Sequence, residues 1–253
     1  LGFGVVYVAL LAWFIKGWQQ LPSFTPARTS NDQIHDEVFF SVIVPARNEA
    51  ANIRSCLESL ISQELDQSQF EVLVVNDHST DGTALEVEQL QAENPGRVQL
   101  LNAPNPIDEK FVAFKKQAIL TGIKHAQGKW IVTTDADCVV GPQWLSILRA
   151  FIHEEDPYLV SGPVAFNRQN TAFQAMQNLE FMSLIGIGAA SIKNAAPNMC
   201  NGANLAYRKD VFREVNGFSG VDHIASGDDE FLMHTIFQRY PAKVAFLKNQ
   251  DSV

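Results

Sequence analysis

A chain of 253 residues with 46% hydrophobic content can bury one large core, or one core and a small appendage. Its 19 basic and 28 acidic side chains give a formal net charge of −9, which argues against nucleic acid as a partner, because phosphate backbones are held by basic patches. A nucleotide held through a metal ion is not excluded. The three cysteines, Cys56, Cys138 and Cys200, are widely spaced and match no zinc pattern, so a reduced, cytoplasm-facing compartment suits them. The six histidines form no His-Glu-x-x-His arrangement.

Residues 1–15 carry no charge, and Lys16 and Trp18 come directly after them. The run is shorter than the roughly 20 residues that span a bilayer, and a few residues ahead of Leu1 would complete it. A buried core helix, a signal-peptide core and an interfacial helix are the competing readings. No small-residue cleavage site is present after it, and Trp13 and Trp18 stand where interfacial aromatics belong. The expectation is a partial transmembrane anchor over 1–18, with Lys16 and Arg28 setting the remainder of the chain on the cytoplasmic side of the cell (inner) membrane. Residues 19–38 are polar, contain Pro22 and Pro26, and read as a linker.

From residue 39 the chain alternates strand and helix. Phe39–Val44 is a short apolar strand. Asn48 can cap a helix to about Ser62, with Ile53, Leu57, Leu60 and Ile61 on one face. Phe70–Val75 is a second strand, and Ser79-Thr80-Asp81 supplies caps for a helix over about 82–93. Val98–Leu101 is a third strand, followed by a loop over 102–110. A helix over about 113–126 leads through Gly128 to a strand that begins Trp130-Ile131-Val132-Thr133. Such alternation predicts an α/β fold with a mostly parallel sheet covered on both faces. Beyond it, Trp144–Ile152 reads as a helix, Tyr158–Ser161 as a strand and 171–193 as a long helix. The apolar centre of that helix, Phe181–Ile192, fits either a core helix or a segment lying on a membrane surface.

The fourth strand runs into Thr134-Asp135-Ala136-Asp137. Side chains two residues apart on an extended chain point the same way, about 7 Å from each other. Two carboxylates that close repel unless a cation lies between them, and hard oxygen ligands suit Mg²⁺ or Mn²⁺, which in turn hold phosphates. Other chemistry-bearing segments share the carboxyl edge of the sheet, where open α/β folds bind ligands: Pro45-Ala46-Arg47-Asn48-Glu49 after the first strand, and Asn76-Asp77-His78-Ser79-Thr80-Asp81 after the second. Lys115 and Lys116 open the preceding helix, and Gly227-Asp228-Asp229-Glu230 opens one near the end. Each has a bland reading as helix caps or an acidic first turn. Their joint occurrence at one edge does not.

These segments, with Asn201-Gly202-Ala203-Asn204-Leu205-Ala206-Tyr207-Arg208 and Gly217-Phe218, resemble the family-2 inverting glycosyltransferases over about residues 39–250. The resemblance implies a GT-A fold for a catalytic domain over 39–253, with a nucleotide-sugar half (39–140) and an acceptor half (141–253). It also implies roles. Pro45 and Glu49 shape the nucleotide pocket, Asp77 accepts from the donor's base, and Lys115 approaches the diphosphate. Asp135 lies near ribose and metal, Asp137 ligates the metal directly, Asp228 belongs to the substrate site, and Asp229 is the base that deprotonates the acceptor hydroxyl. Displacing a nucleoside diphosphate from an anomeric carbon requires its leaving charge to be neutralised and a hydroxyl to be activated on the opposite face. The implied partners are a nucleotide-diphosphate sugar, a glycan or lipid-linked acceptor and a membrane, with no nucleic acid. The implied setting is cell-envelope glycan or polysaccharide synthesis.

Two departures stand out. Asn76 occupies the position where many relatives carry a first Asp. The Gln-x-x-Arg-Trp motif of processive synthases is missing, but it normally lies further downstream than this chain extends. The alternatives in view are a sugar-nucleotide nucleotidyltransferase and a non-catalytic membrane protein on the same fold.

Overall fold

The computed structural model describes residues 2–26, 39–105, 113–166, 171–220, 224 and 226–252. Helix α1 (Gly2–Gln20) leads, followed by β1 (Phe40–Ala46), α2 (Ile53–Ile61), β2 (Phe70–Asn76), α3 (Thr83–Glu93) and β3 (Val98–Asn102). Next come α4 (Phe114–His125), β4 (Trp130–Thr133), α5 (Trp144–Glu155), β5 (Leu159–Ser161) and α6 (Ala172–Lys193). The chain closes with β6 (Leu205–Arg208), α7 (Lys209–Glu214), α8 (Asp228–Arg239) and β7 (Val244–Phe246).

The strands form one seven-stranded sheet in the order β3-β2-β1-β4-β6-β5-β7. Strands β3, β2, β1 and β4 are parallel, and β6 is antiparallel to both β4 and β5. Buried parallel strands need apolar residues on both faces, and the alternation along the strands shows why. Val42, Val44, Val72 and Val74 pack with α2, α3 and α5 on one side. Ile43, Leu73 and Val75 pack with α4, α6, α7 and α8 on the other. A one-residue slip would exchange these sets, so the register is fixed by packing.

Chain order builds outward from β1 through β2 to β3, then α4 carries the chain back over the sheet to β4 on the other side of β1. This reversal opens a crevice between β1 and β4 at their carboxyl ends. Pro45 keeps it open. The β1–β4 ladder stops at Ile43↔Thr133, and Pro45, two residues on, has no N–H to extend it.

Three expectations change. The helix after β1 starts at Ile53, and Asn48 does not cap it: Asn48 takes φ 58° in the turn before it. Residues 21–26 are not a free linker. Leu21 is buried, Phe24 N donates to Lys248 O (2.9 Å), and the Phe24 ring meets Phe151 edge-on. The rest of that stretch, Arg28 included, lies outside the described residues. The third concerns the transmembrane segment: no helix among the described residues is long and apolar enough to cross a membrane. At 1.5 Å per residue the uncharged part of α1 is about 21 Å long, against roughly 30 Å of hydrocarbon. Helix α1 instead packs by its end on α6. A Cβ on Gly17 would come within 2.6 Å of Asn194 and 2.7 Å of the Ala190 carbonyl, and Asn194 Nδ2 donates to Trp13 O at 3.0 Å.

Candidate active site

The loops after β1 and β2 are fastened together along their length. Asn48 Oδ1 accepts from Thr80 N at 2.8 Å, Glu49 N donates to Thr83 Oγ1 at 2.7 Å, and Ala50 N donates to Asp81 Oδ2 at 3.1 Å. Asn48 and His78 both adopt positive φ, which turns the two loops toward each other. Asn76 explains its own departure from the family pattern. Its amide donates to Asn102 Oδ1 on β3 (3.0 Å) while its oxygen accepts from Ser79 N (3.1 Å). An ionised Asp could accept there but not donate.

Asp77 is buried at the base of this crevice. One carboxylate oxygen lies 3.0 Å from His78 Nδ1, and the other lies 3.7 Å from the Arg47 guanidinium. Arg47 also lies over the Phe114 ring at 4.7 Å, and His78 Nε2 is 3.2 Å from Asn105 Oδ1. The sequence reading named Asp77 and missed this surround of Arg47, His78, Asn105 and Phe114. Arg47 and His78 stood beside named residues, but Asn105 and Phe114 carried no local signal. Glu49 is half-buried, and its carboxylate accepts from Asn52 Nδ2 at 2.9 Å.

On the other side of the crevice, Lys115 Nζ donates to Asp135 Oδ1 at 2.6 Å. Burial pulls the Lys115 ammonium toward the neutral form, but the Asp135 charge and hydrogen bond, with Asp228 and Asp229 behind them, outweigh it and raise its pKa. Asp137 is exposed, with Cys138 Sγ 3.7 Å from its Oδ1. Beneath the turn, Cys56 Sγ donates to Asp135 O at 3.6 Å, and burial pushes that thiol up to about 12. Cys138 is pushed up to about 11, again mainly by burial. Both thiols are therefore protonated at neutral pH and are poor nucleophiles.

Lys116, fully buried, donates to Ile224 O (2.6 Å) and Ser226 O (3.2 Å), and so fastens α4 to the segment ahead of α8. The first turn of α8 carries Asp228, Asp229 and Glu230. Asp229 Oδ2 accepts from Gly202 N at 2.8 Å, and its Oδ1 accepts from Glu230 N at 2.9 Å. Gly202 precedes β6, which is antiparallel, so the start of β6 lies at the same edge as the ends of β1, β2 and β4. Asp228 is buried, and desolvation raises its pKa; Lys115 opposes this and Asp229 adds to it. Glu230 is raised by desolvation and then by Asp229.

Among the described residues no group of three or more His, Cys, Asp or Glu could hold a metal ion by itself. Asp137 and Asp135 still suit Mg²⁺ or Mn²⁺ in a site completed by phosphate oxygens and water, since Mg²⁺ is commonly bound by one or two carboxylates plus substrate phosphates. Asp137 offers its carboxylate to solvent, whereas Asp135 must share its own with Lys115.

Residues 41–215 match the family described as Glycosyl transferase family 2. The chain belongs to that family. It is 32% identical over 191 residues to the glycosyltransferase AglE of Haloferax volcanii, covering 76% of this chain and 59% of AglE. It is 34% identical over 125 residues to the poly(ribitol-phosphate) β-N-acetylglucosaminyltransferase TarS of Staphylococcus aureus, covering 48% of this chain and 20% of TarS. This chain thus spans less than two thirds of either relative. The mannosyltransferase PcManGT of Pyrobaculum calidifontis, solved with GDP-Man and Mn²⁺, shares the fold with a TM-score of 0.69 at 20% identity, over 95% of this chain and 62% of that one. The fold is accordingly GT-A-like, a mixed and mostly parallel sheet flanked by helices.

Proposed function

We propose that this protein transfers a sugar, with inversion, from a nucleotide-diphosphate sugar to a hydroxyl of a glycan or lipid-linked acceptor. The observation that carries the reading is the meeting of two sets of groups at one sheet edge. Asp77, Lys115, Asp135 and Asp137 suit a nucleoside diphosphate, and Asp229 is fixed by the Gly202 and Glu230 amides beside them. Family membership favours glycosyl transfer over nucleotidyl transfer. Solved proteins of this fold carry GDP-Man with Mn²⁺ or UDP-GlcNAc, which makes those donors the first to try.

Asp77 receives the base edge at the carboxyl ends of β1 and β2, and Pro45 and Glu49 line that part of the site. Lys115 exchanges part of its hold on Asp135 for the diphosphate. Asp137, with Asp135, would hold a divalent cation, which would supply charge neutralisation for the departing diphosphate. Asp229 takes the acceptor proton, the freed oxygen attacks the anomeric carbon, and the bond to the diphosphate oxygen breaks on the opposite face. A positioned carboxylate base contributes roughly 10²–10⁴-fold.

The exposed apolar length of α1 supports a place at the cytoplasmic face of the cell membrane, in cell-envelope glycan synthesis. Detergent-free fractionation of the full-length protein tests this, and a wholly soluble product would overturn it. For the reaction, nucleoside diphosphate release from GDP-Man and UDP-GlcNAc is measured with and without Mn²⁺. Binding of neither UDP nor GDP in the presence of Mn²⁺ would refute the reading.

A further inference from the structure

The acceptor side of the proposed site has an apolar floor. A cavity of about 240 Å³ lies against α8 and α6, lined by Phe181, Leu184 and Ile185 on α6, by Met199 and Cys200 on the approach to β6, and by Glu230. Its polar end is the catalytic end. Glu230 is next to Asp229 in the chain, and Asn201, which also lines the cavity, precedes the Gly202 amide that binds Asp229. Ile185 and Phe246 also line a second cavity of about 500 Å³ that reaches Trp18, Phe24, Met182 and Gly186. The two spaces are thus neighbours across shared side chains.

Both lie against a helix pair with an unusual surface. On the first half of α6, Phe173, Met176 and Leu179 are 68%, 70% and 68% exposed, and Phe166 beside them is also exposed. On α1 the consecutive residues Val5, Val6, Tyr7 and Val8 are all exposed, so the apolar surface runs round the helix instead of along one stripe. A path of apolar side chains therefore leads from this surface through α6 to the carboxylates of α8. Those carboxylates also constrain the polar group that arrives there. Glu230 lines the cavity and Asp229 is its neighbour in the chain, so an anionic head is repelled and a neutral hydroxyl is accepted.

We infer that the cavity between α6 and α8 binds the hydrocarbon portion of the acceptor, and that the acceptor is an amphiphile with a neutral, hydroxyl-bearing head, such as a sugar on a single long apolar chain. The inference rests on Asp229 being the acceptor-side base. It chooses the lipid-linked acceptor over the free glycan.

The test is equilibrium titration of the protein, with UDP or GDP and Mn²⁺ present, by methyl, butyl and octyl β-D-glucoside below micelle-forming concentrations. Each methylene that enters the cavity tightens binding roughly fourfold, so the octyl compound binds at one site, at least tenfold more tightly than the methyl compound. Leu184→Glu places a charge at the cavity mouth on a side chain already 43% exposed, so the fold tolerates it, and it abolishes the chain-length dependence. Leu179→Glu alters the outer face of α6 without touching the cavity lining and leaves that dependence in place. Affinity independent of chain length overturns the inference. So does binding at many sites that Leu179→Glu weakens as much as Leu184→Glu, since that is adsorption to the helix surface. Nucleotide binding without any chain-length effect refutes only the acceptor assignment, whereas absence of UDP and GDP binding refutes the proposed function itself.

Discussion

Replacing Asp229 by Asn separates a catalytic carboxylate from an ordinary helix start. Both oxygens of Asp229 are in use, toward Gly202 N at 2.8 Å and Glu230 N at 2.9 Å. Asn keeps one acceptor and turns an NH₂ toward the other amide. Hydrogen bonds to charged groups contribute about 1.5–3 kcal/mol, so the variant is destabilised by about that much. For a domain of this size each kcal/mol lowers the melting temperature by roughly 2–4 °C. Transfer, by contrast, falls by roughly 10²–10⁴-fold, equivalent to about 2.7–5.4 kcal/mol on the barrier. The assay measures sugar transfer at 25 °C, far below the melting transition, alongside nucleotide affinity and thermal unfolding. Donor affinity stays close to the parent because the groups assigned to the donor lie at the carboxyl ends of β1, β2 and β4 and on α4. Transfer within threefold of the parent would refute the assignment of Asp229 as base, whatever the stability change.

The geometry sets four further outcomes. Asp137→Ala, at an exposed position, leaves the fold intact but removes the Mn²⁺-dependent part of nucleotide stabilisation, which for the parent at 100 times the dissociation constant is about 2.7 kcal/mol in thermal unfolding. Lys115→Gln frees Asp135, so Mn²⁺ alone binds more tightly while the diphosphate binds at least tenfold more weakly, both readable by titration. Asp228 is buried with its pKa raised above the ordinary value of 3.8, so the folded state holds that proton more firmly than the unfolded state does. Its contribution to stability is therefore lost as pH rises from 3.8 through the elevated pKa. Asp228→Asn, which does not ionise, gains on the parent in melting temperature over that window and by a constant amount above it. Gly128→Ala brings a Cβ within 2.6 Å of the Phe40 and Ser41 backbone, which cannot yield as a side chain can. It destabilises by about 1–3 kcal/mol in denaturant unfolding.

The parallel half of the fold was legible because its strands and helices are bounded by packing that repeats every two or 3.6 residues. Val42, Ile43 and Val44 read as a doubly buried strand and are one. The edge residues were legible too, since a strand that ends in charged side chains has few places to put them. What could not be read was contact across long sequence distance. Nothing near Asn105 or Phe114 indicates His78 and Arg47, and nothing near Lys116 indicates the Ile224 carbonyl. Asn48 misled because capping and left-handed turns favour the same residue types. Residues 21–26 misled because Pro22 and Pro26 suggest a free connector, whereas Leu21 and Phe24 find apolar partners contributed from elsewhere in the chain. In the long helix α6, Ala189 and Ile192 are core, as the core reading of its apolar centre requires, while Phe173, Met176 and Leu179, ahead of that centre, are exposed.

The reversed direction of β6 has a consequence for how such a protein can diversify. The groups assigned to the donor all come from 41–138, through connections that leave a parallel strand and enter a helix. The proposed acceptor base and its Gly202 anchor come from 201–230, and Gly202 reaches the same sheet edge because β6 runs the other way along β4. Insertions or exchanges in α6 and the approach to β6 can therefore remodel the proposed acceptor side while the parallel strands keep their register. Lys116 limits that freedom, because the Ile224 and Ser226 carbonyls it donates to, just ahead of α8, must stay within reach of α4. A lineage can change the acceptor-side lining widely, provided the Lys116 clasp and the Gly202 amide are kept.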